Sequence, residues 1–188
     1  MKIALAGTHC TGKTTLLIQF KEIYHNNSSF GYITEVARKI IEKGYPLNAE
    51  ANTDSYIHYI NDQLIAEKNI YTYKIFMSDR TLLDPLAYAL VNKKLPRPYI
   101  QDYFIDMIRN VWLLEKERYD LYAYFPIEFP MAFDGVRPED EEYRKRVDEM
   151  IYQLLIKYSI KFVTITGSVY ERKKILIDAI NKCKITSE

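Results

Sequence analysis

The chain has 188 residues, 48% hydrophobic and 27% charged, which suits a globular fold with a sizeable buried core. Its 26 basic and 25 acidic residues leave a net charge of +1, which excludes a general polyanion binder and makes a nucleic-acid partner unexpected. No apolar run approaches membrane-spanning length, so no membrane partner is expected. Cys10 and Cys183 lack metal-ligand spacing and suit a reducing, cytoplasmic setting. The sequence opens directly in a strand-like run, so no leader is expected, and the Asn27-Ser28-Ser29 sequon then carries no meaning. The 17 tyrosines read as core and rim packing. There is no repeat, low-complexity tract or linker, and residues 1–188 are expected to form one domain.

Lys2 to Ala6 is a short apolar run that predicts a buried first strand. Gly7-Thr8-His9-Cys10-Thr11-Gly12-Lys13-Thr14 follows and reads G-x-x-x-x-G-K-T, the phosphate-binding P-loop pattern. Leu16, Leu17 and Phe20 then recur at helical spacing, predicting a helix over about residues 13–25. Strand, glycine loop and helix form the context in which the motif binds phosphate through loop amides and the helix start. Residues Gly7 to Thr15 are therefore the expected ATP site. Lys13 would reach the β- and γ-phosphates, and the Thr14 hydroxyl would ligate Mg2+.

Phe30 to Thr34 predicts a second strand that delivers Glu35 to its end, and Val36 to Lys43 a short helix stopped by Gly44-Tyr45-Pro46. Thr53 or Asp54 is expected to cap a helix with an apolar stripe of Ile57, Ile60, Leu64 and Ile65. Lys74 to Ser78 reads as a third, buried strand ending at Asp79-Arg80, and Leu82 to Val91 as a helix. After a basic loop at 93–98, Tyr99 to Glu117 reads as a helix whose apolar face includes Tyr103, Ile108, Val111 and Trp112. Tyr119 to Phe125 predicts a fourth strand, 126–135 an irregular segment, and Pro138 the start of a helix with an acidic first turn. Its stripe is Val147, Met150, Ile151, Leu154 and Leu155. Ile160 to Ile165 is the fifth strand and Tyr170 to Lys182 the last helix. The alternation predicts an α/β fold of three layers, a five-stranded parallel sheet with helices on both faces, and its ligands at the carboxyl ends of the strands.

That edge gathers the remaining candidates. Asp79 falls where a P-loop enzyme places a carboxylate near Mg2+, either to hold the metal or to accept the proton of an acceptor hydroxyl. Glu35 is a second candidate base, and the choice between the two stays open. Arg38, three residues on, and Arg80 would face the substrate, as would Gln63 on a helical face shared with Glu67. Arg137 and Arg144 suit a lid that closes positive charge over the phosphates, with residues 126 to 137 as its mobile part. Arg144 falls on the Val147–Ile151 stripe and so points inward. Gly167 and Ser168, after the fifth strand, are placed against adenine. His25 and His58 read as structural.

With these residues in place, the chain resembles the small P-loop kinases, in particular the NadR-like family of nicotinamide-riboside kinase domains and related AAA-labelled ATP-binding domains. The resemblance rests on GTHCTGKTT at 7–15, TEVAR at 34–38, SDRTLLDPLAY at 78–88, DGVRPEDEEYRKRVD at 134–148 and TGSVYER at 166–172. It implies a P-loop NTPase sandwich with a helical lid, and Asp79 as catalytic or metal-linked acid. It also implies Glu35 and Arg38 at the acceptor site, Arg137 as a lid arginine, and 166–172 beside the base of ATP. An Asp-Arg pair after the third strand is also found in thymidylate and deoxynucleoside kinases. Parts matching the DNA-binding and adenylyltransferase regions of the full bacterial NAD regulator are not seen, which leaves nicotinamide riboside as one acceptor among several. The expected activity is ATP- and Mg2+-dependent phosphoryl transfer to a small nucleoside-like substrate. The rivals are a nucleoside-monophosphate kinase and an ATP-hydrolysing switch. A homodimer is left open.

Overall fold

All five residues of β1 (Lys2–Ala6) are buried because the strand runs through the middle of the sheet. Ala4 and Ala6 turn to one face and Ile3 and Leu5 to the other, the two-residue alternation of a strand. The computed structural model describes residues 1–96, 100–131 and 140–185. After β1 come α1 (Lys13–Ile23), β2 (Phe30–Ile33), α2 (Val36–Glu42), α3 (Thr53–Ala66), β3 (Ile75–Asp79) and α4 (Leu83–Asn92). Then follow α5 (Asp102–Glu115), β4 (Leu121–Tyr124), α6 (Glu141–Lys157), β5 (Phe162–Thr164) and α7 (Val169–Ile185). The strands lie in the order β2-β3-β1-β4-β5, and every pairing is parallel. The expected three-layer α/β architecture is therefore present.

Two cores flank the sheet. Leu16, Leu17 and Phe20 of α1 pack with Leu176 and Ile180 of α7 beneath Ile3, Leu5 and Met77. The larger core, on the other face, gathers side chains of α2 to α6 around Ala4, Ala6 and Phe76. The register sets Leu5 of β1 opposite Asp79 of β3, so the P-loop and Asp79 leave the sheet side by side.

Three local expectations are corrected. The cap of α3 is Asn52, whose side chain accepts from Ser55 N at 3.0 Å while Ser55 Oγ accepts from Asn52 N at 3.3 Å. Its buried face runs through Tyr56, Tyr59, Ile60 and Gln63, leaving Ile57 and Ile65 47% and 63% exposed. Two tyrosines bury more surface than two isoleucines, so the aromatic face turns inward. On α5, Ile108 and Trp112 are buried but Tyr103 is exposed, because it shares the outer face of the helix with Met107 while Phe104 and Ile105 of the same turn face the core. The first described residue before α6 is Asp140, whose side chain caps the helix by accepting from Tyr143 N at 2.8 Å. Residues 126–131 are irregular, as expected. The rest of the expected lid, with Arg137 and Pro138, lies outside the described residues.

Candidate active site

The P-loop turns between β1 and α1 on two glycines that no other residue could replace cheaply. Gly7 has φ +151°, and a Cβ there would lie 2.6 Å from Phe125 O. Gly12 has φ +87° and is the N-cap of α1. Inside the turn Thr8, His9, Thr11 and Lys13 are buried. Thr11 Oγ1 donates to Thr8 O at 3.1 Å, and Lys13 Nζ donates to Thr8 O at 2.5 Å. Loop residues His9 to Thr15 line a cleft of about 240 Å³ whose opposite wall is Glu35, Arg38, Asp79 and Arg80. The strand-end residues separated in sequence thus converge there.

Thr14 Oγ1 donates to Asp79 Oδ2 across the cleft floor. Asp79 Oδ1 is buried and has no hydrogen-bond partner among the described residues. A buried carboxylate oxygen left this way is costly unless something else meets it. Among the described residues no three His, Cys, Asp or Glu side chains group as a metal site. Glu35 stands in the left-handed region at φ 69° and pairs with Arg38 at 3.0 Å. Cys10 and Arg80 are also left-handed, at φ 55° and 87°, so the cleft holds three strained non-glycine residues.

Behind Arg80 a second recess opens. Arg80 pairs with Asp84 at 3.0 Å, and Asp84 also accepts from Thr81 N at 2.8 Å. Burial raises the Asp84 pKa, against the opposing pull of Arg80 and Lys13. Tyr56, Tyr59 and Tyr88 wall the recess, which shares Ala37 and Arg80 with the P-loop cleft. The Tyr59 hydroxyl is buried with no hydrogen-bond partner among the described residues.

Other expected site residues lie elsewhere. Gln63 is fully buried and donates to Glu67, Ser78 Oγ and Arg80 O, so it sits beneath the cleft rather than lining it. Arg144 points inward, as its place on the stripe implied, but its guanidinium is taken by the carbonyls of His9 and Cys10 and by Glu141. It backs the loop instead of facing the cleft. Gly167 and Ser168 are on the loop after β5, where Gly167 N donates to Glu128 and Gly167 O accepts from Arg172. Arg137 lies outside the described residues.

The sequence matches a family described as an AAA domain over residues 2–172. The chain belongs to this AAA-domain family. By sequence alone it matches none of the curated proteins. Its fold matches a NadR protein in complex with NR, with TM-score 0.75 at 22% identity over 96% of this chain and 50% of that one. The chain thus spans half the length of that NadR chain. A deoxyadenosine kinase from M. mycoides with products bound matches with TM-score 0.68 at 17% identity, covering 97% of this chain and 100% of that one. A thymidylate kinase from Candida albicans matches with TM-score 0.68 at 15% identity, covering 97% and 92%. At such identities the likeness is one of fold, and the fold is that of these small P-loop kinases.

Two groups in this AAA domain were given no role of their own by the sequence, although Tyr88 and Arg172 close two of the quoted motifs. One is Arg172, buried at the start of α7 and donating to Thr11 O at 2.6 Å. The other is the tyrosine trio of the recess. Tyr56 and Tyr59 stand three residues apart on α3, a spacing that puts both on one helix face, and that was the available signal. Among the described residues no helix is long and apolar enough to cross a membrane.

Proposed function

We propose that the protein is an ATP- and Mg2+-dependent kinase that transfers the γ-phosphoryl group of ATP to a hydroxyl of a small nucleoside-like acceptor. The observation that carries this reading is the tyrosine-walled recess opening through Arg80 onto the P-loop cleft. Aromatic walls suit a flat ring, and the shared wall sets the ring's sugar between the recess and the phosphates. The recess is narrow, about 30 Å³, so a ring would enter only as its walls yield.

A hydroxyl acceptor is favoured over a phosphate acceptor by charge. The two cations on the acceptor wall, Arg38 and Arg80, are each paired with a carboxylate, Glu35 and Asp84. Asp79 adds a further negative charge. A nucleoside monophosphate entering this wall would meet arginines whose charge Glu35 and Asp84 already balance, whereas a nucleoside needs no uncompensated cation there.

The residues present fit Mg2+: Thr14 Oγ1 and the unpartnered Asp79 Oδ1 are the groups that would hold it, with the nucleotide's own phosphates. When bound it supplies charge neutralisation to the transferring group. Lys13 acts on the same charge from the loop side. Asp79 serves either as that metal partner or as the base that takes the acceptor's proton, with Glu35 the other candidate base. Asp79 is favoured because it stands on the cleft floor beside Thr14. We place the protein in the cytoplasm, in keeping with Cys10 and Cys183 forming no disulfide.

A screen of acceptors following ADP release tests the reading. Stimulation by nucleosides supports it. Stimulation by nucleoside monophosphates instead makes the protein a nucleotide kinase, and stimulation by a macromolecule alone makes it an ATP-driven switch.

A further inference from the structure

Three consecutive carbonyls of the P-loop end on guanidinium groups. Arg144, fully buried on α6, donates from Nε to His9 O at 3.1 Å and from Nη2 to Cys10 O at 2.9 Å. Arg172, buried on α7, donates from Nη1 to Thr11 O at 2.6 Å. The two helices come from opposite faces of the sheet, yet their arginines grip neighbouring peptide units.

A trans peptide is planar, and its C=O and N–H point in opposite directions. Holding the carbonyls of His9, Cys10 and Thr11 toward the arginines therefore turns the N–H groups of Cys10, Thr11 and Gly12 the other way. Those three residues line the phosphate cleft. Successive amides aimed into one concavity form an anion-binding nest, and Cys10 and Gly12 adopt the left-handed φ values such a turn needs.

Both arginines are themselves held. Glu141 accepts from Arg144 Nη1 at 2.9 Å, and Glu128 pairs with Arg172 Nη2. Phe129 joins the two: its carbonyl accepts from Arg144 Nη1 at 3.1 Å, and its ring lies 4.6 Å from the Arg172 guanidinium. Charge-assisted bonds of this kind are stronger than neutral ones, and a lysine cannot grip two carbonyls from one planar fork. We infer that Arg144 and Arg172 are positioning residues that hold the P-loop amides in their phosphate-binding orientation by tethering the loop carbonyls from behind.

The inference concerns the phosphate loop alone and does not depend on which acceptor is used. It is tested on the full chain by calorimetric titration with inorganic tripolyphosphate, beside thermal melting and the KM for the acceptor. Arg144→Gln and Arg172→Gln are expected to weaken tripolyphosphate binding about tenfold or more, a loss on the scale of one charge-assisted hydrogen bond. The acceptor KM should stay within about twofold, and Arg144→Lys and Arg172→Lys should recover part of the binding. A lowered melting temperature with tripolyphosphate affinity unchanged, measured well below the melt, would reduce both arginines to structural roles and overturn the inference. If the glutamine variants do not fold, Glu128→Gln and Glu141→Gln leave both guanidiniums in place and loosen only their supports, that of Arg172 and that of Arg144 in turn. Weaker tripolyphosphate binding in those variants supports the inference, and unchanged binding overturns it. A chain that binds tripolyphosphate but phosphorylates no nucleoside loses the kinase reading and keeps this one.

Discussion

Thr14, in the first turn of α1, donates its hydroxyl to Asp79, the last residue of β3, across 65 positions of sequence. That bond leaves one Asp79 oxygen engaged and the other buried with no hydrogen-bond partner among the described residues. Asp79→Asn should lower kcat by about 10²-fold or more, the usual scale for losing a general base. Glu35→Gln, assayed beside it, should retain most activity. An inactive Glu35→Gln with a healthy Asp79→Asn would exchange their roles.

Lys13 is buried against Thr8 O and Thr11 Oγ1. Its ammonium serves the phosphates more than the packing, so Lys13→Ala should remain folded by circular dichroism. Turnover should fall by about 10³-fold or more, as for loss of a preorganised charge at the transferring phosphoryl group. Near-normal turnover in the folded variant would reject the assignment.

The Tyr59 hydroxyl is buried without a hydrogen-bond partner among the described residues, an arrangement that costs roughly 1–3 kcal/mol. Tyr59→Phe should therefore raise the melting temperature while raising the KM for the nucleoside acceptor and leaving the KM for ATP unchanged. A variant no more stable than the parent, with unchanged acceptor KM, would show that the recess does not receive the acceptor.

Glu35 holds φ 69°, where a Cβ is penalised by about 1–2 kcal/mol. Glu35→Gly and Glu35→Ala both remove the ion pair with Arg38, but only glycine relieves the backbone. Glu35→Gly should be the more stable of the two by about 1 kcal/mol in urea titrations, net of the greater entropy of its unfolded chain. The reverse order would mean that the backbone relaxes on its own.

Glu67 is buried, and burial raises its pKa despite hydrogen bonds from Gln63 and Tyr119. The fold thus prefers the protonated acid. The resulting stability is fully present below the unfolded pKa, about 4.3, and is lost as pH rises through the higher folded value. Buried Asp84 and half-buried Asp148 shift the same way. Glu67→Gln cannot titrate, so its melting temperature relative to the parent should climb as pH rises above about 4.3. Parallel curves over that range would contradict the shift.

The P-loop, the parallel sheet with helices on both faces and the convergence of Glu35, Asp79 and Arg80 were legible because each follows from local pattern; the strand order β2-β3-β1-β4-β5, which joins distant segments, was not. A glycine spacing, an alternation of elements and a place at a strand end are written in contiguous residues. What escaped depends on which face turns inward. Tyr56 and Tyr59 were hidden by the isoleucines beside them, since a helix with apolar residues on two faces does not say which one is buried. Gln63 shared the buried face but not the cleft, a difference set by Ser78 and the carbonyl of Arg80. Arg172 was least legible, because its partner is a backbone carbonyl on Thr11, and a carbonyl leaves no trace in residue identity.

The two cores divide the molecule by chemistry as well as by space. Every side chain of the tyrosine recess belongs to the face of the sheet covered by α2 to α4, while the core of α1 and α7 lies wholly on the other. Changes to the recess therefore propagate into a core that the α1–α7 packing does not share, and substitutions more than about 10 Å apart without common partners combine nearly additively. The consequence is evolvability with a boundary: the Tyr56 and Tyr59 side of the recess can drift or be redesigned, whereas Tyr88, bonded to His9 Nδ1 at 3.1 Å, and the shared Arg80 answer to both ligands at once.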